Sequence, residues 1–189
     1  MAAQKDKVKF GIKNVHIFPQ LTDEPTYDAV IDIPGAVNLS LDAQGDISKF
    51  YADNIVYYQT SSNNGYEGDL EIALIPDEVL EKIFNYVKDE DNVCRENASN
   101  DVVPFEMTFE EEGDKTGTKF VLYNCTATRP SRSFATTGES KEPATQTLSI
   151  SAAPLKDGNV MAMTNAETTV SVLNDWHTEV YGYKKVAGV

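Results

Sequence analysis

The sharpest chemical signature in the chain is Asp114-Lys115-Thr116-Gly117-Thr118, the pentapeptide in which P-type ion pumps carry a phosphorylated aspartate. That chemistry needs a nucleophilic carboxylate at the end of a parallel strand, magnesium-binding aspartates elsewhere and a membrane domain to drive. The context here is different. Residues 103–111 alternate, with Val103, Phe105, Met107 and Phe109 against Glu106, Thr108 and Glu110, and residues 119–126 set Phe120 and Leu122 against Val121 and Tyr123. Two alternating runs joined by a Gly-rich charged stretch predict an antiparallel hairpin, so the pentapeptide reads as part of its turn.

Other candidate chemistry is weaker still. Asp89-Glu90-Asp91-Asn92 opens like a calcium loop, but Val93 and Cys94 fall where that loop requires an oxygen ligand and a glycine. The run reads as a solvated acidic helix end. His16 and His177 are the only histidines, and neither has a Cys or His partner near it in sequence. No Gly-x-Ser-x-Gly, phosphate loop or zinc spacing occurs, so no catalytic, cofactor-binding or metal-ligating residue is assigned and no enzyme is expected. Cys94 and Cys125 form no redox or metal spacing and are expected as free thiols, with the sequons at Asn38, Asn97 and Asn124 as chance matches. One cluster remains. Tyr57, Tyr58 and Tyr66 border Asn63 and Asn64, which fits either ordinary sheet packing or a contact surface of rigid aromatic area.

The elements that must position these residues read as short strands. Residues 8–35 are broken by Pro19, Pro25 and Pro34, which predicts an N-terminal arm over 1–35 with no long regular element. Val37, Leu39 and Leu41 then alternate with Asn38, Ser40 and Asp42, up to a turn around 42–46. A strand over 52–60 runs into a loop over 60–68, and another strand leaves it with Leu70, Ile72 and Leu74 on one face. Pro76, the acidic pair Asp77 and Glu78, and the stripe Val79, Leu80, Ile83, Phe84, Val87 predict a helix over about 76–88. Residues 127–146 form a long polar loop, 147–152 a strand, and 168–183 strand or helix. The expectation is a single domain over 36–189, mainly β (α+β): a β-sandwich or flattened barrel with one flanking helix and long connecting loops.

The chain has 189 residues, with 16 Lys and Arg against 30 Asp and Glu, a net charge of −14. Phosphate neutralisation by basic residues, the main term in nucleic-acid binding, is therefore excluded as a mode of action, and an anionic membrane surface is disfavoured. No apolar stretch resembles a membrane span or a secretory signal, which leads to the expectation of a protein made in the cytoplasm.

Several stretches in order resemble the major tail proteins of long-tailed, siphovirus-type bacteriophages. They are residues 51–58, 63–73, 105–111, 113–115, 121–131 and 145–148. The resemblance spans about residues 8–165 and implies a tail tube subunit: a β-sandwich with a flanking helix, six copies per ring, and rings stacked into a hollow tube. It implies as partners further copies of the chain, the tape measure protein, and tail terminator and distal tail proteins. DNA would transit the lumen without specific binding, and no membrane is involved. The chain would be made in the bacterial host cytoplasm and reside in the virion tail. On this reading Tyr57, Tyr58, Asn63, Asn64 and Tyr66 lie in or beside an inter-subunit contact, and part of the acidic excess lines the lumen. The alternatives are a ring-forming distal tail or tail-terminator component and a non-viral β-sandwich binding module.

Overall fold

The computed structural model describes residues 11–21, 27–113, 117–134, 136 and 144–182. The fold is mainly β. The main sheet runs in the order β2 (Ile31–Ile33), β1 (Gly11–Pro19), β9 (Phe105–Glu112), β10 (Lys119–Ala127), β11 (Gln146–Ala152), β6 (Gly65–Ile72) and β3 (Ala36–Gln44). A short β12 (Met161–Met163) pairs with the early part of β10, beside the stretch that pairs with β11. All these pairings are antiparallel. The sheet curls until β3 comes close to β1, yet no ladder joins them, so it is not closed into a barrel.

The alternation read from residues 103–111 and 119–126 is realised as the β9–β10 hairpin at the middle of this sheet. Phe105, Met107 and Phe109 enter the inner core with Val15, Ile17, Leu70, Ile72, Leu122, Leu148 and Ile150. β9 is buried on both faces over its first six residues, because Glu106, Thr108 and Glu110 are covered as well. Asp114, Lys115 and Thr116 of the pump-like pentapeptide lie outside the described residues.

The arm predicted over residues 1–35 is corrected where it is described. Gly11–Pro19 is a nine-residue strand between β2 and β9, and Ile31–Ile33 pairs with it. The pattern was hidden by a bulge: Asn14 takes a left-handed φ of 52°, and the pairing register with β9 slips between Lys13 and His16. One extra residue flips the parity that alternation depends on. Pro19 ends the strand, and Pro34 lies in the β2–β3 turn, where neither removes a ladder bond. Pro25 and the first ten residues fall outside the described residues, as do 135 and 137–143 of the predicted 127–146 loop.

The helix predicted over 76–88 is also shorter. α1 covers Asp77–Lys82, with Pro76 at its N-cap and acidic residues in its first turn. Asn85 then adopts φ 53°, and the Tyr86 N–H bonds back to the Leu80 carbonyl at 3.0 Å, which closes the helix end. Of the predicted stripe, Val79, Ile83 and Phe84 are buried in the inner core and Leu80 packs against it, but Val87 is exposed and Tyr86, outside the stripe, is buried in its place. Val87–Lys88 (β7) instead pairs with Cys94–Arg95 (β8) in a small separate hairpin. The C-terminal stretch left open between strand and helix contains a second short helix, α2 (Val170–Asp175).

Candidate assembly surface

The feature that stands apart from the core is the hairpin of β4 (Ile47–Ala52) and β5 (Ile55–Ser61), a two-stranded sheet with no other strand on either edge among the described residues. Its tip is Asp53-Asn54, both left-handed, at φ 51° and 61°. Two residues of that conformation form the type I′ turn whose twist matches paired strands, and Asp and Asn tolerate it best among residues other than glycine. The sequence pattern predicts a single strand through 52–60 and a loop over 60–68, whereas the chain reverses at Asp53-Asn54. The Asp-Asn pair between apolar runs is the signal for this reversal.

Residues 60–68 are in fact the joint at the hairpin's base. Pairing of β3 with β6 passes directly into pairing of β4 with β5, so residues 36–72 form one long ribbon with a break at 45–46 and 62–64. The break is tied on both sides. The Ser62 N–H donates to the Asp46 carbonyl at 2.9 Å, the Asp46 N–H to Ser62 Oγ at 3.0 Å, and the Asn64 N–H to the Gln44 carbonyl at 2.8 Å. Asn63 Oδ1 accepts from the Gly65 N–H at 3.0 Å. Gly65 has φ 99°, and a Cβ there would sit 1.9 Å from the Ala152 carbonyl oxygen, so the joint admits no side chain at that position. The turn predicted around 42–46 is likewise this joint, through which the chain continues without reversing.

Seven large apolar side chains of the hairpin are exposed: Ile47, Phe50, Tyr51, Ile55, Val56, Tyr57 and Tyr58, with Tyr57 the most exposed at 70%. Phe50 lies opposite Tyr58, and Tyr51 opposite Val56, with a register slip between the two pairs. Since neighbours along a strand point to opposite faces, Phe50 and Tyr51 load both faces with aromatic area. Lys49 and Asp53 are the only charged residues between 47 and 61. An isolated two-stranded hairpin is marginal in water, and exposed apolar edges with little charge are ordinarily avoided.

Of the five residues singled out by sequence, Tyr57 and Tyr58 sit on this hairpin and Asn63 and Asn64 in its joint. Tyr66 does not join them. It is half-buried in β6 and packs on the inner core, paired with Ala43 and Ala152.

The main sheet presents two contrasting outer surfaces. Across β3, β6 and β11, the registers set Asp42, Glu67 and Ser151 in one row, Ser40, Asp69 and Ser149 in the next, and Asn38, Glu71 and Thr147 in a third. Four carboxylates thus share one polar face that carries no Lys or Arg in these rows. Ser149 Oγ donates to Asp69 at 2.6 Å and Thr145 Oγ1 to Glu71 at 2.5 Å. Across β1, β9 and β10, by contrast, the outer face is covered by residues 170–181. Trp176 and Val180 pack there on Phe18, Val121 and Tyr123.

Beneath that cover lies a polar cluster the sequence reading missed. His16 and His177, judged to lack a partner, are stacked with ring centroids 4.7 Å apart. His177 Nδ1 lies 3.0 Å from Thr108 Oγ1 and its Nε2 3.7 Å from Glu110 Oε2, while His16 Nε2 lies 3.3 Å from Asp32. Burial, the neighbouring His16 and Lys119 together hold the His177 pKa down at about 4. Sequence separation of 161 residues conceals such a pair, and only the fold brings β1 beneath the C-terminal segment. Thr108 is fully buried, and the two imidazoles are largely covered, with side chains 18% and 15% exposed.

Elsewhere, Glu96 is held below the usual carboxylate range by hydrogen bonds from Tyr86 and Arg129, which fasten residue 129 to the β7–β8 hairpin. Cys94 is exposed and Cys125 buried, both free, and burial pushes the Cys125 thiol well up. Among the described residues no group of His, Cys, Asp and Glu could hold a metal ion, and no helix is long and apolar enough to cross a membrane.

No protein-family model matches the chain, and no curated protein matches it. Solved structures do. The chain is similar to the anti-feeding prophage tube-terminating cap at 15% identity and TM-score 0.49, covering 87% of this chain and 98% of that one. It is similar to the sheath/tube terminator of the extracellular contractile injection system PVC, in the extended state, at 13% identity and TM-score 0.49, covering 87% and 100%. A chain of the anti-feeding prophage baseplate matches at 12% identity and TM-score 0.39, covering 82% and 95%.

Proposed function

We propose that this chain is a structural subunit of a phage-type tail that joins copies of itself through the β4–β5 hairpin. The observation that carries the reading is the hairpin itself: seven exposed large apolar side chains on a ribbon whose edges have no further strand among the described residues. Its four aromatic rings, at 60–70% exposure, offer roughly 500 Å² of side-chain surface if a full ring side chain presents about 200 Å². That is in the range of the largest apolar patch on a typical monomer, and Ile47, Ile55 and Val56 extend it further. A net charge of −14 argues against nucleic acid or an anionic membrane as the occupant, which leaves protein. The tail-protein resemblance of residues 51–58 and 63–73, which include much of this ribbon, makes that protein another copy.

In the finer form of the reading, copies close into hexameric rings and the rings stack into a tube, since contacts that close make a ring and contacts that do not make a filament. The tape measure protein would fill the tube, terminator and distal tail proteins would bound it, and the particle would be a virion tail. The acidic face of β3, β6 and β11 would then line the passage, where carboxylates repel DNA phosphates and keep the strand from adhering. A ring that ends a tube instead of extending it is the second reading, and it is the role carried by two of the solved structures named above. Negative-stain microscopy of the concentrated protein separates the outcomes. Long hollow tubes support the tube form and isolated rings the terminator form. Monomers that persist up to millimolar concentration, with or without the hairpin aromatics, would refute self-assembly through this surface.

A further inference from the structure

We propose that His177, stacked on His16 under the C-terminal segment, is an acid-operated latch: its protonation releases residues 170–181 from the outer face of β1, β9 and β10. Among the described residues the segment is held there by the packing of Trp176 and Val180 on Phe18, Val121 and Tyr123 and by four polar contacts. Trp176 Nε1 donates to the Phe120 carbonyl at 3.1 Å, Lys119 Nζ to the Leu173 carbonyl at 3.0 Å, and Tyr123 Oη to the Tyr181 carbonyl at 2.6 Å. The fourth is the contact of His177 with Thr108. His177 Nε2 is buried and lies 3.7 Å from Glu110 Oε2, beyond the reach of an ordinary hydrogen bond.

The charges around the ring explain why a proton is unwelcome while the cover is closed. From β1 comes His16, a second imidazole at 4.7 Å, itself facing Asp32 of β2. From β10 comes the Lys119 ammonium, which disfavours a further positive charge. From β9 comes Glu110, the one anion close to Nε2, but its Oε2 already accepts from Asn14 Nδ2. Glu106, further along the same face of β9, is engaged by Tyr27 and the Asn124 N–H. On the segment itself Asp175 and Glu179 are exposed to solvent. Burial, the adjacent His16 and the Lys119 ammonium outweigh Glu110, so the closed form titrates at about 4 where an open, solvated histidine titrates near 6.5. The sign follows. The open form binds the proton more tightly, so closure is fully favoured above pH 6.5 and is progressively weakened as the pH falls toward 4, the open-to-closed ratio rising on the order of a hundredfold.

Trp176 is the only tryptophan and is 3% exposed under the cover, so its fluorescence reports opening directly. The expected result is a red shift and gain of quencher access between pH 6.5 and 4, with the far-UV circular dichroism of the sheet unchanged. H177F, which keeps a stacked ring that cannot titrate, should abolish the transition, and H16Q should move it to lower pH because the closed form then accepts the proton more readily. A flat Trp176 signal across this range, a transition that coincides with loss of the sheet signal, or an H177F transition at the wild-type midpoint would each overturn the proposal. Should H177F fail to fold, hydrogen exchange of the wild-type chain decides instead: protection of residues 170–181 must fall with acid while that of β9 and β10 persists, and equal loss in both refutes the latch.

Discussion

Replacing Tyr57 and Tyr58 together with serine should cripple assembly and leave the monomer as stable as before. The two rings are 70% and 62% exposed, so at about 200 Å² per side chain each presents roughly 130 Å² that a partner could cover. At about 25 cal/mol per Å² that is about 3 kcal/mol per ring, reduced by about 1 kcal/mol for immobilising each side chain, which leaves about 2 kcal/mol each. The pair then contributes about 4 kcal/mol per contact, a factor of about a thousand in the association constant. Neither ring belongs to either buried core, so thermal stability of the monomer should change by no more than about 0.5 kcal/mol. The assay is the critical concentration for assembly, by light scattering and pelleting, set beside a thermal melt of the unassembled protein. An unchanged critical concentration would refute the reasoning. So would a melting temperature that falls in step with assembly, because the residues would then be stabilising the subunit.

Three further outcomes are expected. Gly68→Val should destabilise the fold by about 2–3 kcal/mol in a urea titration, because even a Cβ at Gly68 would lie 1.9 Å from the Ser40 carbonyl oxygen and would force β3 off β6; a neutral result would mean that the ribbon is not paired as described. In the native protein a thiol reagent should modify Cys94 at once and Cys125 only after unfolding, since one is exposed and the other is buried with its thiol pKa raised, and two equal rates would contradict this. Replacing Glu67 and Asp69 with lysine should leave assembly intact but slow DNA ejection from the resulting particles, whereas unchanged ejection would remove the acidic face from the passage.

Patterns confined to one element were legible in the sequence. The β9–β10 hairpin followed from Val103, Phe105, Met107 and Phe109 alternating with polar residues, because a strand with a regular period of two writes its buried face into the chain. The start of α1 followed from Pro76, Asp77 and Glu78. What broke the period was misread. Asn14 inserts one residue into β1 and turned a strand into an apparent arm, and a helix stripe was extended to residue 88 although Asn85 ends it. In the candidate site, Tyr57, Tyr58, Asn63 and Asn64 were found as a group because aromatic and turn-forming residues adjoin. Tyr66 adjoins them in sequence but is set apart in the fold, since the parity of β6 turns it toward the core with Leu70 and Ile72.

The sequence by itself determined the charge balance of the chain and the class of structure it forms. Charge balance, the scatter of its few His and Cys residues and the strand-length apolar runs are properties of composition and local spacing, and they needed no fold to be read. Tertiary structure decided everything that depends on which strand lies beside which. It divided the ribbon of residues 36–72 into a half joined to the main sheet and an exposed half, because pairing with β11 ends at Tyr66 and β4 and β5 have no further strand neighbour among the described residues. It gathered Asp42, Glu67, Asp69 and Glu71 on one face through register, and it stacked His16 on His177 across the chain's length. Contacts of that kind are fixed by long-range packing, whose free energy is shared among distant residues and leaves no periodic trace in any one of them.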